Sequence, residues 1–176
     1  MMFFGHVGIT TALVKSIDDN LDSFDSIDYR FVLAGSILPD LIDKPLAVVF
    51  LVGHAQSFRF FAHTLIFSVI LVIIGIGCYI IKNRNNILML GICSLIHTIL
   101  DLSWVFPKIY FYPFLGLRFP MDTSYKFVPN YAKLYFSHFS YFIFEVIGII
   151  LLYYFLKKAK SYKSIKSFIK NGKIFN

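Results

Sequence analysis

Three stretches of this chain are long and apolar enough to cross a bilayer, which takes roughly 20 residues at about 1.5 Å each. They cover residues 62–81, 87–106 and 137–156. The link Lys82-Asn83-Arg84-Asn85-Asn86 joins the first two as a tight antiparallel hairpin. Composition agrees, since 57% of the 176 residues are hydrophobic and only 15% charged. Ordinary soluble domains have about 45–50% and about 25%. With a mean hydropathy of +0.70, a soluble fold of this length could not hide the excess, and the same excess excludes disorder. The expected fold is all-α: a multi-pass integral membrane bundle, one membrane-embedded domain spanning 1–176, with the lipid bilayer as its partner.

Charge placement orients that bundle. Five of the ten acids (Asp18, Asp19, Asp22, Asp25 and Asp28) share one polar stretch, and seven of the seventeen bases are lysines between Lys157 and Lys173. A basic tail over about 157–176, directly after an apolar run, marks a cytoplasmic flank beside anionic lipid, and Lys82 and Arg84 belong to the same side. The opposite ends of all three spans then face the extracytoplasmic surface. The tail is short and no recognition module accompanies it, so no nucleic-acid partner is expected.

The remaining segments are less regular. Residues 3–14 and 31–50 form shorter apolar stretches, the second interrupted by Pro39-Asp40-Leu41-Ile42-Asp43-Lys44-Pro45. Such a break is tolerated only inside protein or against a watery cavity, which predicts short re-entrant or interfacial elements in the N-terminal part. Residues 107–130, rich in Pro, Tyr and Phe, read as an extracytoplasmic loop along the interface. Ile165, Phe168 and Ile169 set against Lys163, Lys166 and Lys170 predict a surface amphipathic helix. Cys78 and Cys93 lack metal or redox spacing and read as buried structural thiols. The first residues show neither a basic n-region nor a cleavage site, and are expected to be retained.

Ionisable groups in membrane segments cost about 2.5–3.5 kcal/mol each on insertion scales, so each needs a reason to be there. Outside the acidic stretch the acids are Asp40, Asp43, Asp101, Asp122 and Glu145; the histidines are His6, His54, His63, His97 and His138. His97 and Asp101 are four apart and share a helix face; Asp40 and Asp43 are three apart. His63 opens the first span and His138 the third. By the orientation above, His63, Asp101 and His138 lie toward the extracytoplasmic ends of their helices, with His97 about 6 Å deeper than Asp101. Imidazole and carboxylate converging on one leaflet suit a divalent metal: zinc, manganese or iron. Carboxylates there can also bridge two ions for phosphoester hydrolysis. Glu145 follows His138 by seven residues, on the same face but about 10 Å along the axis, which leaves it a relay, an outer-shell role or a separate metal position. For His54, and for Asp122, Arg118 and Lys126, a place in solvated loop is the simpler reading.

The order of these residues resembles the YdjM-like inner-membrane metal-dependent hydrolases. It runs His6; then Leu38-Pro39-Asp40 with Asp43; then Arg59 with His63-Thr64; then His97-Thr98-Ile99-Leu100-Asp101. That group is similar in turn to zinc-dependent phospholipase C and the P1-type nucleases. The likeness covers about the first hundred residues and rests on short motifs. It departs at the H-R-G-x-T-H-S block, which reads Phe58-Arg59-Phe60-Phe61-Ala62-His63-Thr64 here, and Phe142 stands where a late H-x-x-x-E would end.

Together these readings give a metal-dependent hydrolase, most naturally of phosphoesters; a lipid-derived substrate would reach such a site by lateral diffusion, though nothing in the residues fixes that origin. Its expected ligands are His6, Asp40, His63, His97 and Asp101, with His138 and Asp43 next. Asp43 or Glu145 is the candidate general base, and Arg59 the group that steadies a phosphate. Two other chemistries fit the same residues. Two of His63, His97 and His138 can hold a haem in an electron carrier, or the polar groups can form a proton or ion relay in a transporter or structural bundle.

Overall fold

The computed structural model describes residues 3–21, 27–50, 59–117, 139–158 and 162–173. Among them every regular element is helical. In chain order these are α1 (Phe3–Leu21), α2 (Tyr29–Phe50), α3 (Leu65–Lys82), α4 (Asn86–Leu100), α5 (Pro107–Tyr110), α6 (Phe139–Lys158) and α7 (Tyr162–Asn171), with 3₁₀ turns at Phe61–His63 and Ser103–Val105.

α3 is long and apolar enough to cross a membrane. Its start is set by Thr64, whose hydroxyl accepts from the Phe67 N–H at 3.3 Å. Its end is set by Asn83 in the left-handed region (φ 49°), whose N–H bonds the Tyr79 carbonyl, a common helix stop. Isoleucines such as Ile73, Ile80 and Ile81 stand exposed along it, as expected of side chains with lipid for solvent. The hairpin to α4 closes tightly because Gly75 lies against the Leu88 backbone and Gly91 against Val72. Small residues at such crossings let helices approach without a hydrophobic drive.

Three expectations need correction. The expected span over 87–106 is a helix only as far as Leu100. Leu102 enters the left-handed region (φ 54°) and the chain turns aside, leaving 15 helical residues, about 22 Å of rise. The interrupted stretch 31–50 is instead one continuous helix, with Pro39 and Pro45 inside it. Proline deletes one ladder donor and crowds the carbonyl four residues back. One turn before Pro39, the Ser36 carbonyl takes a bond from another helix, His97 Nδ1 at 2.7 Å. The apolar stretch 3–14 is likewise no short interfacial piece; α1 runs on through Asp18 and Asp19, where Asp18 accepts from the Tyr29 hydroxyl at 3.0 Å.

α1 packs on α6 and α2, and α4 lies between α2 and α3. The α1–α6 crossing is a backbone contact at Gly8 and Gly148. Successive helices α1 to α4 run up and down, and α6 starts where α1 starts. One end of the bundle gathers the Asn83–Asn86 turn, Asp28 and Asn171 around a polar cavity of about 230 Å³. There the C-terminal helix α7 is docked: the Tyr29 N–H bonds the Gly172 carbonyl at 2.9 Å and Arg30 bonds that of Ile169 at 3.0 Å, a cation at a helix C-terminus. Phe168 adds an apolar contact to the cluster formed by Val14, Tyr29, Val32, Met89 and Phe155. Of the cysteines, Cys93 is buried and Cys78 only half-buried. The other end of the bundle holds His6, His63 and His97.

Candidate metal centre

Four pieces of chain bring their polar groups to that end. α1 supplies His6 in its first turn, α2 supplies Asp40 and Asp43 from just past its middle, the 3₁₀ turn before α3 supplies His63, and the end of α4 supplies His97 and Asp101. His6, His63, His97 and Asp43 are at most 1% exposed.

Two of the imidazoles are held by their Nδ1 atoms. His63 Nδ1 lies 2.7 Å from Asp43 Oδ2, and Asp43 also accepts the backbone N–H groups of Phe60, Ala62 and His63 at 2.7–3.1 Å. His97 Nδ1 donates to the Ser36 carbonyl, so its Nε2 carries the lone pair. This is the outer-shell pattern that fixes a ligating histidine's tautomer and orientation. His6 stacks on His97 with ring centroids 3.9 Å apart and 22° between planes. Among the described residues, neither ring nitrogen of His6, nor Nε2 of His97, has a hydrogen-bond partner. Buried polar atoms are almost always satisfied, so these nitrogens require an explanation.

The carboxylates facing them give one. His63 Nε2 is 3.6 Å from Asp40 Oδ1, and His97 Nε2 is 3.9 Å from the same oxygen. His6 Nε2 and His63 Nε2 each lie 3.9 Å from an oxygen of Asp101. These separations are too long for hydrogen bonds. Two atoms each about 2.1 Å from one ion at a tetrahedral angle are about 3.4 Å apart, close to what is seen. One ligand atom from each of His6, Asp40 and His97 lies within 4.8 Å of the others. Nitrogen and carboxylate donors, two of them orphaned, therefore fit a divalent ion.

Two cations hold the carboxylates from outside. Arg59 Nε bonds Asp101 Oδ2 at 2.5 Å, with its guanidinium 4.9 Å from the Phe106 ring centroid. Lys44 Nζ bonds Asp40 Oδ2 at 2.6 Å. Glu145 is buried but stands apart from the cluster: it accepts from the N–H groups of Phe4 and Gly5 at 3.1 and 3.3 Å, capping the start of α1. Expected ligand His138 falls outside the described residues, as do His54, Arg118, Asp122 and Lys126.

Sequence reasoning missed Lys44 and the Ser36 carbonyl. Lys44 stands four residues after Asp40, a spacing that signals an ion pair on a helix; reading the segment as broken by proline concealed it. A backbone carbonyl leaves no mark in sequence.

The sequence matches the YdjM inner membrane protein family over residues 1–164. The chain belongs to this family. The matched region takes in every residue of the cluster, and membership makes the chain an inner membrane protein. No curated protein and no solved structure matches it.

Proposed function

We propose that this member of the YdjM family is a multi-pass inner-membrane hydrolase that uses a divalent metal, most naturally zinc, to cleave a phosphoester derived from a membrane lipid. The observation that carries this reading is the pair of buried Nε2 atoms of His6 and His97, without hydrogen-bond partners among the described residues and each 3.9 Å from a carboxylate oxygen, of Asp101 and Asp40 respectively, with His63 Nε2 3.6 Å from Asp40 beside them. His6, Asp40, His63, His97 and Asp101 would hold the ion. Such an ion lowers the pKa of a bound water toward neutrality and polarises a phosphoryl oxygen. The chain's own groups set the stage for that chemistry. Asp43 and the Ser36 carbonyl orient His63 and His97, Arg59 holds Asp101, and Glu145 anchors the helix that carries His6. The bonds of Asp43 and Glu145 give them these positioning roles in preference to that of general base. The chemistry we propose is of the kind used by zinc-dependent phospholipase C and the P1-type nucleases.

In this reading α3 and α6 cross the membrane, and α4, packed on α3, spans most of its thickness. Lys82, Arg84 and the lysine-bearing tail share the end of the bundle away from the cluster, so the cluster faces the extracytoplasmic side and the tail the cytoplasm. A haem between His63 and His97 is a poorer occupant, because their ring centroids are 5.4 Å apart and set edge to face, which leaves no room for a porphyrin between them.

The test is elemental analysis of detergent-purified protein together with hydrolysis of bis(4-nitrophenyl) phosphate. Wild type should carry stoichiometric divalent metal and hydrolyse the ester, whereas His97→Ala and Asp40→Ala should lose both. Metal retained in full by both variants would place the ion elsewhere and sink the assignment, whereas wild type without stoichiometric metal would favour an ion-relay role for the same groups.

A further inference from the structure

The three histidines are sealed in the bundle, at most 1% exposed. What faces outward at this site is different: Asp101 is 9% exposed, Asp40 19%, Arg59 23% and Lys44 41%. Anything approaching the carboxylates therefore meets two cations first, one tied to each. We infer that Lys44 and Arg59 form a two-pronged clamp for a monoanionic phosphodiester, with Lys44 a substrate-binding residue of the site. This rests on the metal reading above.

The charges argue for that class. With neutral imidazoles, the cluster of described residues holds three carboxylates (Asp40, Asp43 and Asp101) against two cations. One divalent ion makes this set of groups net positive, so that the loaded site attracts an anion such as a phosphodiester. Without Lys44 and Arg59 the loaded site would be net negative and would repel the same group. Glu145 adds little to this count, since its charge sits on the positive end of α1. A carboxylate that turns toward an ion loosens its hold on the cation it was paired with, and frees that cation for an incoming oxyanion. Arg59 presents a planar fork suited to two phosphate oxygens, and Lys44 a point charge.

The surroundings suit a substrate with acyl chains. Phe61, Trp104, Val105, Phe106, Phe114 and Leu115 lie exposed on the turns before α3 and after α4. Exposed aromatics of this kind seat at the membrane–water boundary, where a phospholipid head group resides.

The experiment is calorimetric titration of the zinc-loaded protein in neutral detergent with dimethyl phosphate, a soluble phosphodiester monoanion, and with its uncharged analogue trimethyl phosphate. Zinc content is measured on the same samples. Wild type should bind dimethyl phosphate and not trimethyl phosphate. Lys44→Gln and Arg59→Gln should each weaken binding at least tenfold with zinc retained, and Lys44→Arg should restore most of it. Because Lys44 is the more exposed of the two, its replacement is the safer for folding. Unchanged affinity in Lys44→Gln with full zinc, or equal binding of the neutral ester, overturns the clamp and leaves the metal reading standing. Failure of wild type to bind zinc overturns that reading and the clamp with it. Phosphatidylglycerol in mixed micelles identifies the source: tighter binding than dimethyl phosphate points to the bilayer, equal binding to a soluble ester, and both support the clamp.

Discussion

His63 Nδ1 and Asp43 Oδ2 are 2.7 Å apart, and that same oxygen accepts the backbone N–H groups of Phe60 and His63. One carboxylate thus fixes both the imidazole and the peptide turn that presents it. Asp43→Asn places an amide against four donors and leaves at least one of them unmatched. The expected result is a loss of about 1–3 kcal/mol in stability and of about 10–100-fold in zinc affinity. Thermal unfolding in detergent and competition with a zinc chelator measure the two, and wild-type affinity in the variant would contradict the role given to Asp43.

Metal should stabilise the bundle, because the ligands meet only when it is folded. Zinc at a free concentration about 100-fold above its Kd should add about 2.7 kcal/mol, seen as a rise in Tm that a chelator reverses. His6→Ala and His97→Ala should remove that rise. A shift of the same size in both variants would show the ion binding elsewhere.

Glu145 separates a positioning role from a chemical one. As a cap on the Phe4 and Gly5 amides, it should tolerate Glu145→Gln, which keeps an accepting oxygen. Glu145→Ala should cost about 0.5–2 kcal/mol and weaken zinc binding through the shift of α1. If Glu145→Gln abolishes hydrolysis while keeping wild-type Tm and zinc content, Glu145 is the general base after all.

The crossing of α1 and α6 admits no side chain. A Cβ on Gly8 would collide with the Gly148 carbonyl oxygen, and one on Gly148 with that of Phe4. Backbone cannot move aside as a side chain can, so Gly8→Ala should force the helices apart at a cost of about 1–3 kcal/mol and reduce zinc affinity by displacing His6. Gly77 is the control, because a methyl group added there meets no described atom within 4 Å. Gly77→Ala should be neutral or stabilising by up to about 1 kcal/mol. Tm and chelator competition on both variants decide.

Helical class, the α3–α4 hairpin and the polar residues of the cluster were legible because apolar runs and misplaced charges are local signals. Their pairing was not. Spacing coupled His97 with Asp101, since four residues share a helix face, yet His97 Nε2 faces Asp40 while Asp101 reaches His6 and His63. Side chains on one face of one helix point at neighbouring helices, and only packing says which. The continuity of α2 was hidden for the same reason: its prolines argue locally for a break, and the bond from His97 to the Ser36 carbonyl comes from 61 residues away. The Glu145 cap, 140 and 141 residues distant from the amides it serves, carries no sequence signal.

The imidazoles of the cluster arrive on three stretches of chain, at positions 6, 63 and 97, and the helix bearing the first is braced by α6, which emerges after all three during synthesis. A nascent chain halted before α6 would hold its first histidine without the support that sets it in place. Under the proposed reading, capture of a cation would then wait on the insertion of α6.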